Sequence, residues 1–133
     1  MSNVSAMIDS HPQSGGVDKQ LLAECIEACF SCAQTCTACA DACLSEDSVA
    51  DLRDCIRTDL DCADICAATG TVLTRLTGSN TATVRALLEA CRTACAECAA
   101  DCEEHADHHE HCRICAEACR RCEKACAALL ESL

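Results

Sequence analysis

Cysteine, rather than leucine or isoleucine, occupies the regularly spaced apolar positions of this chain. The segment CIEACFSCAQTCTACADAC, residues 25–43, has cysteines separated by steps of 4, 3, 4, 3 and 4 residues. Alternating steps of three and four place side chains on one face of an α-helix, at the positions that face the core of a helical bundle. The segment therefore predicts a helix whose buried face is made of thiols.

The same spacing recurs in three later segments, CIRTDLDCADIC, CRTACAECAADC and CRICAEACRRCEKAC. The first of these steps by 7 and 4 residues, and Asp59 stands at the position where a cysteine is skipped. The four segments contain all 18 cysteines: Cys25, Cys29, Cys32, Cys36, Cys39, Cys43, Cys55, Cys62, Cys66, Cys91, Cys95, Cys98, Cys102, Cys112, Cys115, Cys119, Cys122 and Cys126. The pattern predicts four helices that share one core of thiols.

Turn-forming residues divide the chain into a lead-in and four helices. Pro12, Gly15 and Gly16 predict a flexible lead-in over residues 1–17, with one short amphipathic turn near its start. We expect helices over about 18–44, 45–77, 82–106 and 107–130, with Gly78 after the second helix. Short connections make successive helices antiparallel neighbours. The predicted fold is an all-α, antiparallel up-down-up-down four-helix bundle over residues 18–133.

Capping residues and one internal glycine refine these boundaries. The candidate N-caps are Asp18, Ser45 or Ser48, Ser79–Thr81, and Asp107, which forms a potential capping box with Glu110. Gly70 lies inside the second predicted helix, where it indicates a bend or a close contact.

The two ends of the predicted bundle differ in chemistry. When the cysteine spacing is extended, it predicts an apolar end made of Leu22, Leu73, Leu76, Val84, Leu88, Leu129 and Leu133. At the opposite end the same spacing selects His105 and His108, with Cys43 and Cys102 nearby, and it favours these two histidines over His109 and His111. We call this the histidine end. Because neutral imidazole binds soft metals, His105 and His108 are candidate ligands and a candidate entry route.

Composition and charge limit the partners and the compartment. The 133 residues include one Phe and no Trp or Tyr, so alanine and cysteine supply most of the core. A net charge of −12 argues against binding to nucleic acid or to an anionic membrane. The first seventeen residues have neither a basic start nor an apolar stretch, so we expect no secretory signal and a cytoplasmic protein with reduced thiols.

Metal binding explains the thiols better than disulfides do. Cysteines one turn apart on a helix have Cβ atoms about 5–6 Å apart, too far for a disulfide, although bridges between helices stay open. One metal ion with two bonds of about 2.3 Å spans sulfurs up to about 4.6 Å apart. Soft thiolates select Cu(I), which accepts two or three sulfurs, and roughly one copper per cysteine keeps the core neutral. Asp59 would be costly if buried without a partner and is an occasional candidate ligand.

Two other functions stay open at this point. A zinc or cadmium buffer would bind four or five divalent ions with four thiolates each. A thiol redox protein would need one distinctive low-pKa pair of cysteines, and none of the four segments stands out. No cofactor motif is present, so we expect a binding protein and not an enzyme.

The four cysteine segments resemble those of bacterial copper storage proteins, over about residues 18–131. The absence of a recognisable signal matches the cytosolic branch of that family. The resemblance implies a four-helix bundle that binds many Cu(I) ions for storage or detoxification. It also implies a homotetramer, which the spacing of the cysteines does not address.

Overall fold

The computed structural model describes residues 2–133 and is entirely helical apart from its connections. Four long helices form the bundle, a short helix precedes them, and a single 3₁₀ turn follows the first long helix. The helices are α1 Val4–Ser10, α2 Lys19–Leu44, α3 Arg53–Leu73, α4 Thr81–His105 and α5 Glu110–Ser132, and the 3₁₀ turn is Val49–Leu52. None of the helices within residues 2–133 has the length and apolar character needed to cross a membrane.

The long helices form a closed ring, as the short connections predicted. α2 packs against α3 and α5, and α4 packs against the same two helices from the opposite side. Sulfur contacts between α2 and α5 run from Cys25 with Cys126 to Cys39 with Cys112, so the two helices are antiparallel. The predicted all-α, antiparallel four-helix bundle with a cysteine-lined core is confirmed.

Alanine lets these helices approach closely, and one glycine does so at a specific contact. Ala28, Ala40, Ala63 and Ala99 are buried beside the thiols, where larger residues would hold the helices apart. A Cβ atom on Gly70 would lie 2.9 Å from the ring of Phe30. The close contact expected at this glycine is therefore present, between α3 and α2.

The structure confirms the predicted N-cap of α2 and shifts the predicted boundaries of α3 and α5. The carboxylate of Asp18 accepts a hydrogen bond from the backbone N–H of Leu21 at 3.0 Å, which confirms the predicted N-cap of α2. The capping box at Asp107 was wrong, because α5 begins at Glu110 and its N-cap is His109. α3 begins at Arg53 with Leu52 as its N-cap, so neither Ser45 nor Ser48 caps it, and it ends at Leu73, before the predicted end near residue 77.

The lead-in carries more structure than the single turn that the sequence suggested. α1 packs against α2 and buries Ile8. The following residues cross the apolar end, where the side chain of Gln13 accepts a hydrogen bond from the N–H of Gly78 at 3.4 Å. Four of the predicted apolar-end residues are buried, namely Leu22, Leu73, Leu88 and Leu129. Leu133 lines the same pocket as Leu22, Leu73 and Leu129 but is 42% exposed, so it lies at the rim of the apolar end.

Candidate metal centre

A ladder of paired thiols joins α2 to α5. Five cysteines of α2 each face one cysteine of α5, and each pair of residue numbers adds up to the same value because the helices are antiparallel. The Sγ–Sγ distances are 3.8 Å for Cys25–Cys126, 3.7 Å for Cys29–Cys122, 3.7 Å for Cys32–Cys119, 3.6 Å for Cys36–Cys115 and 3.9 Å for Cys39–Cys112. The regular spacing of the cysteines in the sequence therefore produces a regular row of sulfur pairs between the two helices.

A second ladder of paired thiols joins α3 to α4, and Asp59 takes the place of one thiol in it. The sulfur pairs are Cys55–Cys102 at 3.6 Å, Cys62–Cys95 at 3.8 Å and Cys66–Cys91 at 3.8 Å. Between the first two of these sulfur pairs, Oδ1 of Asp59 lies 3.0 Å from Sγ of Cys98. Asp59 therefore stands where the periodicity would place a fourth thiol of α3.

The two ladders meet in the middle of the bundle. Sγ of Cys36 lies 4.0 Å from Sγ of Cys98, and Sγ of Cys66 lies 3.9 Å from Sγ of Cys122, so sulfurs approach across both diagonals. Groups of four sulfurs that lie within 4.8 Å of one another result, and three of these groups are Cys29–Cys91–Cys122–Cys126, Cys32–Cys66–Cys95–Cys122 and Cys36–Cys98–Cys115–Cys119. The cysteine sulfurs of the core therefore form one continuous network of potential metal ligands rather than a set of isolated sites.

All 18 cysteines are free thiols, and none is more than 1% exposed. A disulfide needs sulfurs about 2.05 Å apart, whereas two neighbours on one helix, Cys32 and Cys36, are separated by 3.7 Å. Burial raises the pKa of Cys43 and of Cys112, because a thiolate loses its hydration in the core. An arriving cation that takes the place of the proton removes this penalty.

The carboxyl group of Asp59 is fully buried among thiols. Oδ1 is within hydrogen-bond distance of the thiols of Cys98, Cys115 and Cys102, at 3.0, 3.3 and 3.4 Å. Within residues 2–133, Oδ2 has no hydrogen-bond partner. Burial, followed by the nearby thiols of Cys115 and Cys98, raises the pKa of Asp59 to about 12. The group is therefore a neutral acid at physiological pH.

The histidine end contains an imidazole in contact with thiols, but it belongs to His111. Nδ1 of His111 lies 3.4 Å from Sγ of Cys39, 3.6 Å from Sγ of Cys112 and 4.0 Å from Sγ of Cys43. Among residues 2–133, the imidazole–thiol hydrogen-bond contacts are these three, and all of them involve His111. Burial lowers the pKa of His111, but hydrogen bonds with Cys39 and Glu46 outweigh it, and the net direction is upward.

The spacing ranked the histidines in the wrong order for proximity to the core. Continuing the α2–α5 ladder would place His108 opposite Cys43, but α5 begins at Glu110, so His108 lies in the loop and is exposed. His105 is the last residue of α4 and is half-buried. His111, the second residue of α5, contacts the sulfurs instead, and no periodic signal in the sequence could have found it. A role for His105, His108 or Asp59 as a ligand stays a prediction.

Glu46, in the connection after α2, holds two of the histidines. Its Oε2 atom lies 2.9 Å from Nδ1 of His109 and 2.9 Å from Nε2 of His111. The two rings are stacked, with centroids 5.5 Å apart. The hydrogen bond from His111 lowers the pKa of Glu46, so this side chain is a carboxylate at neutral pH.

A family model described as "Copper storage protein" matches residues 18–131, the whole of the bundle. This chain belongs to the copper storage protein family. It is 58% identical to the copper storage protein Ccsp from Streptomyces lividans, solved with 10 copper equivalents, with a TM-score of 0.96 over 98% of this chain and 99% of the other. Another structure of that organism's protein, at 62% identity and a TM-score of 0.87 over 90% and 99% of the two chains, is described as a cytosolic copper storage protein loaded with five coppers.

Two further relatives share the bundle at lower identity. Cu(I)-bound copper storage protein BsCsp3 is 36% identical, with a TM-score of 0.71 over 80% of this chain and 94% of the other. The uncharacterized cysteine-rich protein YhjQ of Bacillus subtilis is 33% identical over 111 residues, which cover 84% of this chain and 97% of that protein. The resemblance drawn from the four cysteine segments is confirmed.

Proposed function

We propose that this protein stores copper as Cu(I) bound to the thiolates of its core, at roughly one ion per cysteine. The observation that carries the proposal is the continuous set of buried sulfur contacts. The Sγ–Sγ distances of 3.6 to 4.0 Å fall within the roughly 4.6 Å that one metal ion with two sulfur ligands can span. A thiolate can bridge two ions, so each ladder becomes a row of Cu–S–Cu links.

Charge balance favours a monovalent ion. Each Cu(I) that replaces one thiol proton leaves the core neutral, which matters because a buried charge without a partner is costly. Four thiolates around one Zn²⁺ would leave two negative charges in each group. The family and the copper-loaded relatives support the same choice.

A zinc or cadmium buffer is the second candidate, and one observation favours it. A tetrahedral site with metal–sulfur bonds of about 2.3 Å has sulfurs about 3.8 Å apart, and the groups of four sulfurs in this core have contacts of that size. The sulfur geometry alone therefore allows divalent ions to bind. The number of ions of each metal that one chain binds distinguishes copper storage from a zinc or cadmium buffer.

We infer a storage role without catalysis. A redox enzyme needs an accessible thiolate, whereas every cysteine here is buried. Copper held in this way is kept from reacting elsewhere in the cell, which protects against its toxicity and keeps a supply for copper enzymes. The relative described as a cytosolic copper storage protein supports a cytoplasmic location.

An anaerobic titration followed by native mass spectrometry tests the metal and the capacity. We expect about 18 Cu(I) ions per chain, one for each cysteine. Saturation at four or five zinc or cadmium ions, with no greater capacity for copper, would favour the divalent buffer. Cys98→Ser removes a thiol where the ladders meet and should lower the copper capacity by one or two ions. Ala100→Ser, on the exposed face of the same helix, is the control and should leave it unchanged.

We also propose that the bundles assemble into a homotetramer. Phe30, Leu60 and Ile114, on three different helices, are large apolar side chains that remain more than 40% exposed in the single chain. Such residues are typical of surfaces that a second copy covers. Light scattering coupled to gel filtration measures the mass directly, and a monomer at micromolar concentration would rule the tetramer out.

A further inference from the structure

We propose that Glu46 is a positioning residue, which fixes the ring of His111 so that its Nδ1 lone pair points at the thiols of the histidine end. The inference rests on the proposed copper storage. Its experimental test, however, has one part that needs no copper.

The backbone on both sides holds Glu46 in place. Its N–H donates to the carbonyl of Cys43 at 3.2 Å, at the end of α2, and its carbonyl accepts from the N–H of Val49 at 3.2 Å. The side chain leaves this turn and reaches the first turn of α5, where it contacts both His109 and His111. Glu46 thus connects the two helices that carry the outermost thiols of the α2–α5 ladder.

The contacts define which ring nitrogen carries hydrogen. A carboxylate can only accept hydrogen bonds, so the nitrogen of each neutral histidine that faces Glu46 must be the one that bears hydrogen. In His111 that atom is Nε2, which leaves Nδ1 without hydrogen and facing Cys39 at 3.4 Å and Cys112 at 3.6 Å. In His109 the atom is Nδ1 instead. The two stacked rings therefore hold opposite tautomers.

The opposite tautomers have different consequences. The free Nδ1 of His111 joins the thiols of Cys39, Cys43 and Cys112 in one group of four donors. Nδ1 of His109 carries hydrogen and is turned to the carboxylate, so it is blocked as a ligand. A carboxylate that binds the distal N–H of a metal ligand sets the tautomer and ring orientation and makes the nitrogen more basic, and its loss typically costs about 10- to 100-fold in metal affinity or activity.

Long-range ¹H–¹⁵N NMR of the copper-free protein, labelled with ¹⁵N-histidine, reads the tautomers directly. At a pH where the histidines are neutral, native protein should show His111 with hydrogen on Nε2 and His109 with hydrogen on Nδ1. Glu46→Ala should turn both into tautomer mixtures. Glu46→Gln retains an oxygen acceptor and should keep the native pattern. A native pattern in Glu46→Ala would overturn the proposal.

Copper transfer supplies the second readout. We expect Glu46→Ala to take up the first equivalent of Cu(I) from a chromogenic chelator about 10- to 100-fold more slowly or more weakly, with Glu46→Gln close to the native protein. Asp47→Ala removes the same charge from the next, exposed position and is the matched control. If Asp47→Ala slowed Cu(I) uptake as much as Glu46→Ala, the effect would come from the lost negative charge, and the positioning role of Glu46 would be refuted. A native protein that binds no copper would refute the storage function but leave the tautomer result standing.

Discussion

Asp59 should make the copper-free protein less stable as the pH rises, and Asp59→Asn should remove that dependence. The folded protein holds the acid protonated, with a pKa of about 12, whereas the unfolded chain loses the proton near pH 3.9. Between these values the unfolded state binds fewer protons than the folded one. Because stability falls with pH wherever the unfolded state binds fewer protons, the full benefit is present below the unfolded pKa and declines above it.

The magnitude follows from the size of the shift. One proton of difference lowers the free energy of unfolding by about 1.4 kcal/mol per pH unit. From pH 5 to pH 7 the native protein should therefore lose about 2.7 kcal/mol more than the neutral Asn variant. At pH 7 the native protein loses about 4 kcal/mol of stability because Asp59 must stay protonated in the folded state. The Asn variant avoids this loss, but its buried amide N–H without a partner costs about 1–3 kcal/mol.

The assay is urea denaturation under anaerobic, reducing conditions at several pH values between 5 and 7, with native protein and variant compared at each pH. The thiols and the histidines are the same in both proteins, so the difference between the two curves isolates the contribution of Asp59. Asp64→Asn, at an exposed position of the same helix, is the control and should follow the native curve. Parallel curves for native protein and Asp59→Asn would refute the argument and show that Asp59 is ionised in the core.

Three further predictions concern the histidine end, the copper-free state and the helix contact. Replacing His105 and His108 by Gln should slow Cu(I) transfer to a strong chelator without changing total capacity; a loss of several coppers would instead make them core ligands. The copper-free protein should already be helical by far-UV circular dichroism, and copper should raise its melting temperature by mass action; a disordered copper-free chain would contradict this. Gly70→Ala should destabilise the protein by about 1–3 kcal/mol by overpacking, because the new Cβ meets Phe30; Ala68→Gly, exposed on α3, would lose only about 1 kcal/mol of helix propensity.

The sequence by itself determined the helices, the buried thiol face and the family. Helical periodicity is a local property, and a step of three or four residues specifies the face of a helix whatever packs against it. The same periodicity placed Asp59 on the buried face of its helix, and Gly70 inside that helix indicated a bend or a close contact, of which the structure shows the contact. Short connections then left an antiparallel ring as the simplest arrangement.

Only the tertiary structure decided the chemistry at the histidine end. His108 has the right spacing, but the helix that would carry it begins two residues later, at Glu110. His111, the second residue of α5, has the wrong spacing, yet its ring contacts the carboxylate of Glu46 through Nε2 and Cys39 through Nδ1. Periodicity describes the interior of a regular helix, whereas the start of a helix is positioned by contacts between residues far apart in the chain, and those contacts exist only once the bundle has formed.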